Sequence, residues 1–312
     1  MTPAPFITLD GTPVSAFSFG TMQFGGKADK DESRRLFESS RAAGINFFDT
    51  AFVYSEGRSE RYLGEFAAAE RDRLFIASKC ASVGGSTSVT IRAQLEESRQ
   101  RLNMDMIDVF YLHKWDNDTP LEETFETMAE LRVAGLFRHI GVSNFAAWQT
   151  VKAANIADRL GIKIEILQPM YNLVKRQVEV EILPMAVSEG FHVAPYSPLG
   201  GGLLTGKYAA GAGGRLADDK MYKARYGVDW MHQTARDLSE LAAQVGVHPA
   251  TLAVAWVAKN PGVTHPIISA RSVAQLQPSL DALSYDLSDD LYQQISALSR
   301  QPAPATDRLE EA

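Results

Sequence analysis

Cysteine is nearly absent. Cys80 is the only one in 312 residues, which excludes an intramolecular disulfide and a thiolate metal cluster and suits a reducing compartment. Long hydrophobic runs are missing as well. The longest, TLAVAWVA at 251–258, is far too short to span a bilayer, so no membrane is expected. The opening MTPAPFITLDG has no basic stretch leading into an apolar one and does not read as a signal peptide. A cytoplasmic protein is the expectation. No block of Lys and Arg occurs and the formal net charge is -7. Polyanion binding needs a clustered positive face, so nucleic acid is not an expected partner. His-Glu-x-x-His spacing is absent and no metal is expected. No heptad or swapped arm is visible, which leaves the oligomeric state open.

What is present is a rhythm. AFSFG (16–20), INFFD (45–49), LFIASK (74–79), IDVFYLH (107–113), RHIGVS (138–143), IEILQ (164–168), FHVAPY (191–196) and VTHPIIS (263–269) are short runs rich in β-branched and aromatic residues. They read as eight strands buried on both faces, as parallel strands are. Between them lie segments of helical period. DKDESRRLFESSRAAG ends at Gly44, LEETFETMAELRVAG at Gly135 and VEVEILPMAVSEG at Gly190, each a C′ glycine signal, although Pro184 interrupts the last. TSVTIRAQLEESRQRLN and SVAQLQPSLDAL complete the set, and SDDLYQQISALSR adds a helix beyond the eighth unit. At the start, FITL and PVSAF flank Asp10-Gly11-Thr12, a hairpin signal.

This alternation, with no Pro/Ser linker to divide it, predicts an α/β fold. The expected form is one (β/α)8 TIM barrel domain over 1–312, with 301–312 as a frayed tail. The competing doubly wound sheet wants a Gly-x-Gly-x-x-Gly turn, and SFGTMQFGGKAD lacks that spacing. Residues 197–230 form a long glycine-rich, then charged and aromatic insertion after the seventh strand.

Barrels carry their chemistry where strands end. Here the strands end in Asp49, Lys79, His113, Ser143-Asn144, Gln168 and Tyr196-Ser197. Singly, each has an ordinary reading: an Asp caps a turn, a Lys snorkels, a Tyr packs. Falling at the ends of consecutive strands, they predict one polar rim. Tyr54 follows Asp49 by five residues. A phenol is a poor acid near neutrality unless a cation stands beside it. Lys79 could supply the cation, Asp49 could hold the lysine, and His113 could orient a carbonyl oxygen. Tyr54 would then be a general acid for a forming alkoxide.

These residues carry a resemblance. NFFDTAFVYSEGRSE, IASK, YLHKWD, GLFRHIGVSNF, LQPMYNLVKRQVEVEILP and VAPYSPLGGGLLTGKY resemble the aldo-keto reductase superfamily over roughly residues 6–300. YNLVKR and SPLGGGLLTGKY are similar to its bacterial branches that also resemble the potassium-channel β-subunits. The resemblance implies a (β/α)8 barrel whose N-terminal hairpin caps the bottom, with extra C-terminal helices. It implies NADPH/NADP+ as cofactor, with NADH the less favoured form. Asp49, Tyr54, Lys79 and His113 take the catalytic positions, with Tyr54 the proton donor. Ser143, Asn144 and Gln168, together with Asp49, fall where the nicotinamide end is held, and Tyr196 where an aromatic stacks on the ring. Gly20, Thr21 and Met22 match the first cofactor loop, and Ser197, Leu199 and Gly201 the pyrophosphate wrap. Ser269 and Arg271 match the adenosine 2′-phosphate contacts, with Gln275 a further one. Ile268-Ser269 replaces the common Pro-Gly, and Pro278-Ser279 an acidic or amide residue followed by Asn.

The implied substrate is a small-molecule carbonyl compound. Met22, Phe24, Phe52, Trp115, Tyr222, Tyr226 and Trp230, beside Tyr54 and His113, are the expected walls of an apolar pocket for small or aromatic aldehydes. The implied reaction is reduction of an aldehyde or ketone to an alcohol. The alternative is an NADPH-binding redox-sensor subunit with very slow turnover.

Overall fold

A computed structural model describes residues 3–207, 220–306, 308 and 310. Eight parallel strands appear where the apolar runs predict them. They are β1 (Ser18–Gly20), β2 (Phe47–Asp49), β3 (Phe75–Cys80), β4 (Ile107–Leu112), β5 (Phe137–Ser143), β6 (Ile164–Gln168), β7 (His192–Val193) and β8 (Ile267–Ile268). Their order in the sheet is β7-β6-β5-β4-β3-β2-β1-β8. The two outer strands meet without a regular ladder. Ile267 N–H donates to Pro195 O at 2.9 Å, and Thr264 and His265 N–H both donate to Val193 O. These bonds close the barrel.

Strand parity sets the interior. Side chains alternate faces with period two. Phe47, Phe75, Ala77, Val109, Tyr111, Ile166, Ala194 and Ile267 fill the lumen, while Phe48, Ile76, Phe110 and Ile140 face the helices. Gly141 is an inward position that tolerates no side chain, because a Cβ there would lie 2.2 Å from the Tyr111 ring. Two residues further along each strand, the same parity points Asp49, Lys79, His113, Ser143, Gln168, Tyr196 and Ser269 inward at the C-terminal mouth.

The six segments of helical period each form a helix, and further helices lie outside them. Helix α1 (Lys30–Ala42) starts at Asp29, whose side chain accepts from Glu32 N–H. Helix α2 (Arg58–Ala67) follows the Tyr54 turn. Helix α3 (Ser88–Leu102) is capped by Thr87 and ends at Asn103 in the left-handed region. Then come α4 (Leu121–Val133), α5 (Ala147–Arg159) and α6 (Ile182–Glu189), the last closed by left-handed Gly190. Pro184 lies in the first turn of α6, where its missing N–H costs nothing. The long insertion is not wholly a loop. It carries α7 (Lys220–Tyr226) and the start of α8 (Asp229–Gln244), while 208–219 fall outside the described residues. Helix α9 (Pro249–Lys259) contains the longest apolar run and is buried along most of its length, so no amphipathic period marks it. Helices α10 (Val273–Asp281) and α11 (Asp289–Ala297) complete the chain. Of the expected tail, 301–306, 308 and 310 are described.

The bottom is plugged by the N-terminal hairpin, reduced to one antiparallel bridge, Ile7 with Pro13. Its Phe6 ring stacks on His192 at 3.9 Å and lies 4.5 Å from His139. No single helix among the described residues is long and apolar enough to cross a membrane.

Candidate active site

The mouth opens into a cavity of about 590 Å³. At its inner end Asp49 closes β2, only 3% exposed. Its Oδ1 accepts from Lys79 Nζ at 2.5 Å and its Oδ2 from Gln168 Nε2 at 2.8 Å. Lys79 is fully buried and also donates to Thr50 O at 2.7 Å. One carboxylate therefore ties β2 to β3 and, across the lumen, to β6. Burial pulls the Lys79 ammonium down, while Asp49 and then Glu60 oppose that.

Tyr54 stands on the turn between β2 and α2. Its ring centroid lies 5.1 Å from Lys79 Nζ and 5.9 Å from the His113 ring, edge to face. Ser55, Glu56 and Gly57, which follow it, all have positive φ (48°, 56° and 79°). Two of them are not glycine and pay a steric penalty of roughly 1–2 kcal/mol each. The sequence expectation has Lys79 lowering the phenol. The structure reverses that direction: burial, then the negative charge of Asp49, push Tyr54 up. His113 goes the other way, held down to about 3 by burial and by the cations Lys79 and Lys114. The imidazole is neutral, and its Nδ1 is buried without a protein partner.

Along the wall, Ser143 Oγ donates to Gln168 O at 2.9 Å. Asn144, held at φ 59°, donates to His113 O at 2.9 Å and accepts from Tyr196 Oη at 2.7 Å. Burial pushes the Tyr196 phenol up to about 12, against the opposing charge of Arg225. Gly200, Gly201 and Gly202 follow with φ of 56°, 66° and 95°. A Cβ on Gly201 would lie 2.6 Å from Tyr222. Only bare backbone fits between α7 and the cavity.

Most of the predicted cofactor residues come together. Gly20, Met22, Asp49, Ser143, Asn144 and Gln168 line the cavity. Tyr196, Ser197, Leu199 and Gly201 line it after β7, and Ser269, Arg271 and Gln275 after β8. Thr21 sits behind the wall, fully buried, with its hydroxyl shared between Asp49 O and Ser59 Oγ. Lys79 lies beneath the cavity. Gln168 spends one amide N–H on Asp49 Oδ2, a bond that leaves its second N–H and its carbonyl oxygen.

The expected substrate walls divide. Tyr54, His113, Met22 and Tyr222 line the cavity. Phe24 does not: Phe24 N–H donates to Thr21 O, and the ring turns inward against Phe19 and Phe66. Phe52 lies under the Arg101 guanidinium, 4.4 Å from ring to carbon. Trp115 packs on Phe145 and Trp148, and Trp230 under Arg300. Tyr226 is fully buried and donates to Met170 Sδ. Cavity residues outside the predicted set include Gln23, Gly202, Thr205, Lys207, Arg225 and His248. The SPLGGGLLTGKY stretch holds Gly202, Thr205 and Lys207 and carries the signal that could have found them.

The cavity suits an elongated, anionic cofactor. Arg271, Lys207 and Arg225 place positive charge along it, the glycine turn brings backbone without side chains to its wall, and Ser269 Oγ is buried without a partner.

Residues 16–300 match the model of the aldo/keto reductase family. A "probable voltage-gated potassium channel subunit beta" of Oryza sativa subsp. japonica is 36% identical over 293 residues, 88% of either chain. "Uncharacterized oxidoreductase YrpG" of Bacillus subtilis (strain 168) is 32% identical over 325 residues, covering 96% of this chain and 97% of that protein. "Aflatoxin B1 aldehyde reductase member 2" of Rattus norvegicus is 36% identical over 213 residues, 66% of this chain and 58% of that protein. The barrel, its polar mouth and these likenesses define a barrel oxidoreductase. The chain belongs to the aldo/keto reductase family, whose members generally use NAD(P)H.

Proposed function

We propose that the protein reduces aldehydes or ketones to alcohols with NADPH, and that Tyr54 is the general acid. The observation that carries this reading is the buried Asp49–Lys79 pair beneath Tyr54, with a neutral imidazole at its side.

Bound in the cavity, the reduced nicotinamide supplies a hydride to the carbonyl carbon. The chain does the rest. Burial keeps Tyr54 protonated, so the phenol carries its proton when the carbonyl oxygen arrives. As the new C–H bond forms, the C=O π electrons move onto oxygen and the Tyr54 O–H proton passes to it. The phenolate left behind is stabilised by the Lys79 ammonium, whose position Asp49 fixes. His113, neutral, directs the carbonyl oxygen toward Tyr54 without competing as a stronger acid. Ser143, Asn144, Gln168 and Tyr196 hold the nicotinamide end. Ser197, Leu199, Gly201 and Lys207 hold the pyrophosphate, and Ser269, Arg271 and Gln275 the adenosine phosphate. Met22 and Tyr222 are the substrate walls beside the reacting carbon.

Tyr54→Phe tests this directly. General acid catalysis contributes about 10²–10⁴-fold, so kcat for a good aldehyde should fall by that order while NADPH still quenches tryptophan fluorescence. Turnover surviving within a few-fold would remove Tyr54 from the role. The likeness to a potassium-channel β-subunit favours a second reading, a cofactor-holding subunit. A panel of sugar, aliphatic and aromatic aldehydes separates the two, because such a subunit would oxidise its bound NADPH only very slowly with every member.

A further inference from the structure

The turn that carries Tyr54 is wrapped around a guanidinium from another helix. Arg101, near the end of α3, has a side chain only 12% exposed. Its Nη1 donates to Phe52 O at 2.8 Å, two residues before Tyr54. The Phe52 ring lies against its guanidinium face. On the far side of Tyr54, Gly57 closes on the same group: a Cβ there would lie 2.6 Å from Arg101 Cζ. Left-handed φ and this contact together exclude any side chain at Gly57.

Arg101 is fixed in turn. Its Nη1 also pairs with Glu60 Oε2 at 3.1 Å, and its Nη2 pairs with Glu97. Glu60 is fully buried, and its Oε1 accepts from Ser78 Oγ at 2.6 Å. Ser78 is the residue before Lys79. One hydrogen-bonded chain thus runs from the Tyr54 turn through Arg101 and Glu60 to the strand that presents Lys79.

Other bonds reach the stretch from Phe52 to Gly57 at its far end: Arg58 N–H donates to Ser55 O, Arg61 Nη1 to Glu56 O at 3.3 Å and Ser55 Oγ to Met22 O at 3.5 Å. Phe52 N–H donates to Lys79 O and Tyr54 N–H to Ala51 O, while Ser55 and Glu56 occupy left-handed conformations that non-glycine residues avoid. A strained turn persists only where its surroundings over-determine it. Resting on the reading of Tyr54 as the acid, we propose that Arg101 is a positioning residue, with Glu60 its anchor. It sets the distance between the Tyr54 hydroxyl and Lys79 and touches neither substrate nor cofactor.

The test compares Arg101→Met, which keeps the stem, with Arg101→Lys, which keeps the charge but not the planar fork. Arg92→Met, an exposed change on the same helix, is the control. Displacing a reacting group by an ångström costs on the order of 100-fold. Arg101→Met should therefore lose roughly 100-fold in kcat, with NADPH affinity by fluorescence titration unchanged, and Arg101→Lys should recover part of the loss. Crystal structures should show the Tyr54 hydroxyl displaced from Lys79 in Arg101→Met, displaced less in Arg101→Lys, and in place in Arg92→Met. An Arg101→Met enzyme with wild-type kcat per folded molecule would overturn the proposal. So would NADPH affinity falling in step with kcat, or an unmoved Tyr54. If Arg101→Met does not fold, Arg101→Lys carries the same readouts. If the wild type reduces no aldehyde, the reading of Tyr54 as an acid falls, and the position of Tyr54 in the variant crystals still decides whether Arg101 holds the turn.

Discussion

Removing the Lys79 cation should expose how the mouth balances charge. Lys79 and Asp49 lie 2.5 Å apart with side chains 0% and 4% exposed. At an effective dielectric constant of about 20, their attraction is about 7 kcal/mol. Desolvating two ions opposes it by several kcal/mol each, so the intact pair contributes little net stability. Breaking it is different. Lys79→Met leaves the Asp49 carboxylate buried with only the Gln168 amide as a side-chain donor, and stranding one ion of a buried pair costs about 3–5 kcal/mol. Asp49→Asn strands the ammonium at a similar cost. The double variant strands neither, so its loss should fall short of the summed single losses by about 2–3 kcal/mol or more. Urea unfolding of all four proteins at neutral pH measures the cycle, read at the midpoint with the slope checked for constancy. Additive losses, or a Lys79→Met cost below about 1 kcal/mol, would refute the stranded-ion reasoning.

Other expectations follow from the same geometry. Arg271→Ala should weaken NADPH binding by roughly 10–100-fold, the worth of a charge-assisted hydrogen bond at about 1.5–3 kcal/mol, and leave NADH nearly unchanged. Equal losses in paired titrations would remove Arg271 from the 2′-phosphate. The plug at the barrel bottom should weaken in acid. His265 is held from 6.5 down to about 4, chiefly by burial and in lesser part by neighbouring His192. Below pH 6.5 the unfolded chain therefore takes up a proton that the folded chain refuses until about pH 4. Stability contributed by the neutral ring is complete above that window and falls by up to about 1.4 kcal/mol per pH unit within it. His265→Asn should flatten that slope in urea midpoints measured against pH.

Every strand was legible because a parallel strand buried on both faces must be an apolar run. The rim was legible for a related reason: parity carries Phe47 to Asp49, Ala77 to Lys79 and Ile166 to Gln168. Where the chain leaves strand geometry, parity stops. Phe24 and Phe52 follow strand ends by a few residues, and their turns send them into the helix layer and under Arg101. Trp115 and Trp230 likewise found partners in neighbouring aromatics and an arginine. Arg101 itself sits in the charge-rich ESRQRLN stretch, where it reads as solvent-facing surface. The direction of the Tyr54 shift was equally hidden, because burial and then the Asp49 charge set it, and depth is a tertiary property.

The barrel closes where its ladder is thinnest. β7 and β8 are two residues each, and a few bonds to Val193 O and Pro195 O span the gap between them. The cavity leaves the mouth across this same join. Ser197, Leu199 and Gly201 lie on one lip, and Ser269, Arg271 and Gln275 on the other. Any molecule that fills it grips both lips, so parting the barrel there also dissolves the binding surface. Occupancy and closure are thus linked equilibria. The ligand is a clasp, and amide exchange along that join should slow more on binding than anywhere else in the sheet.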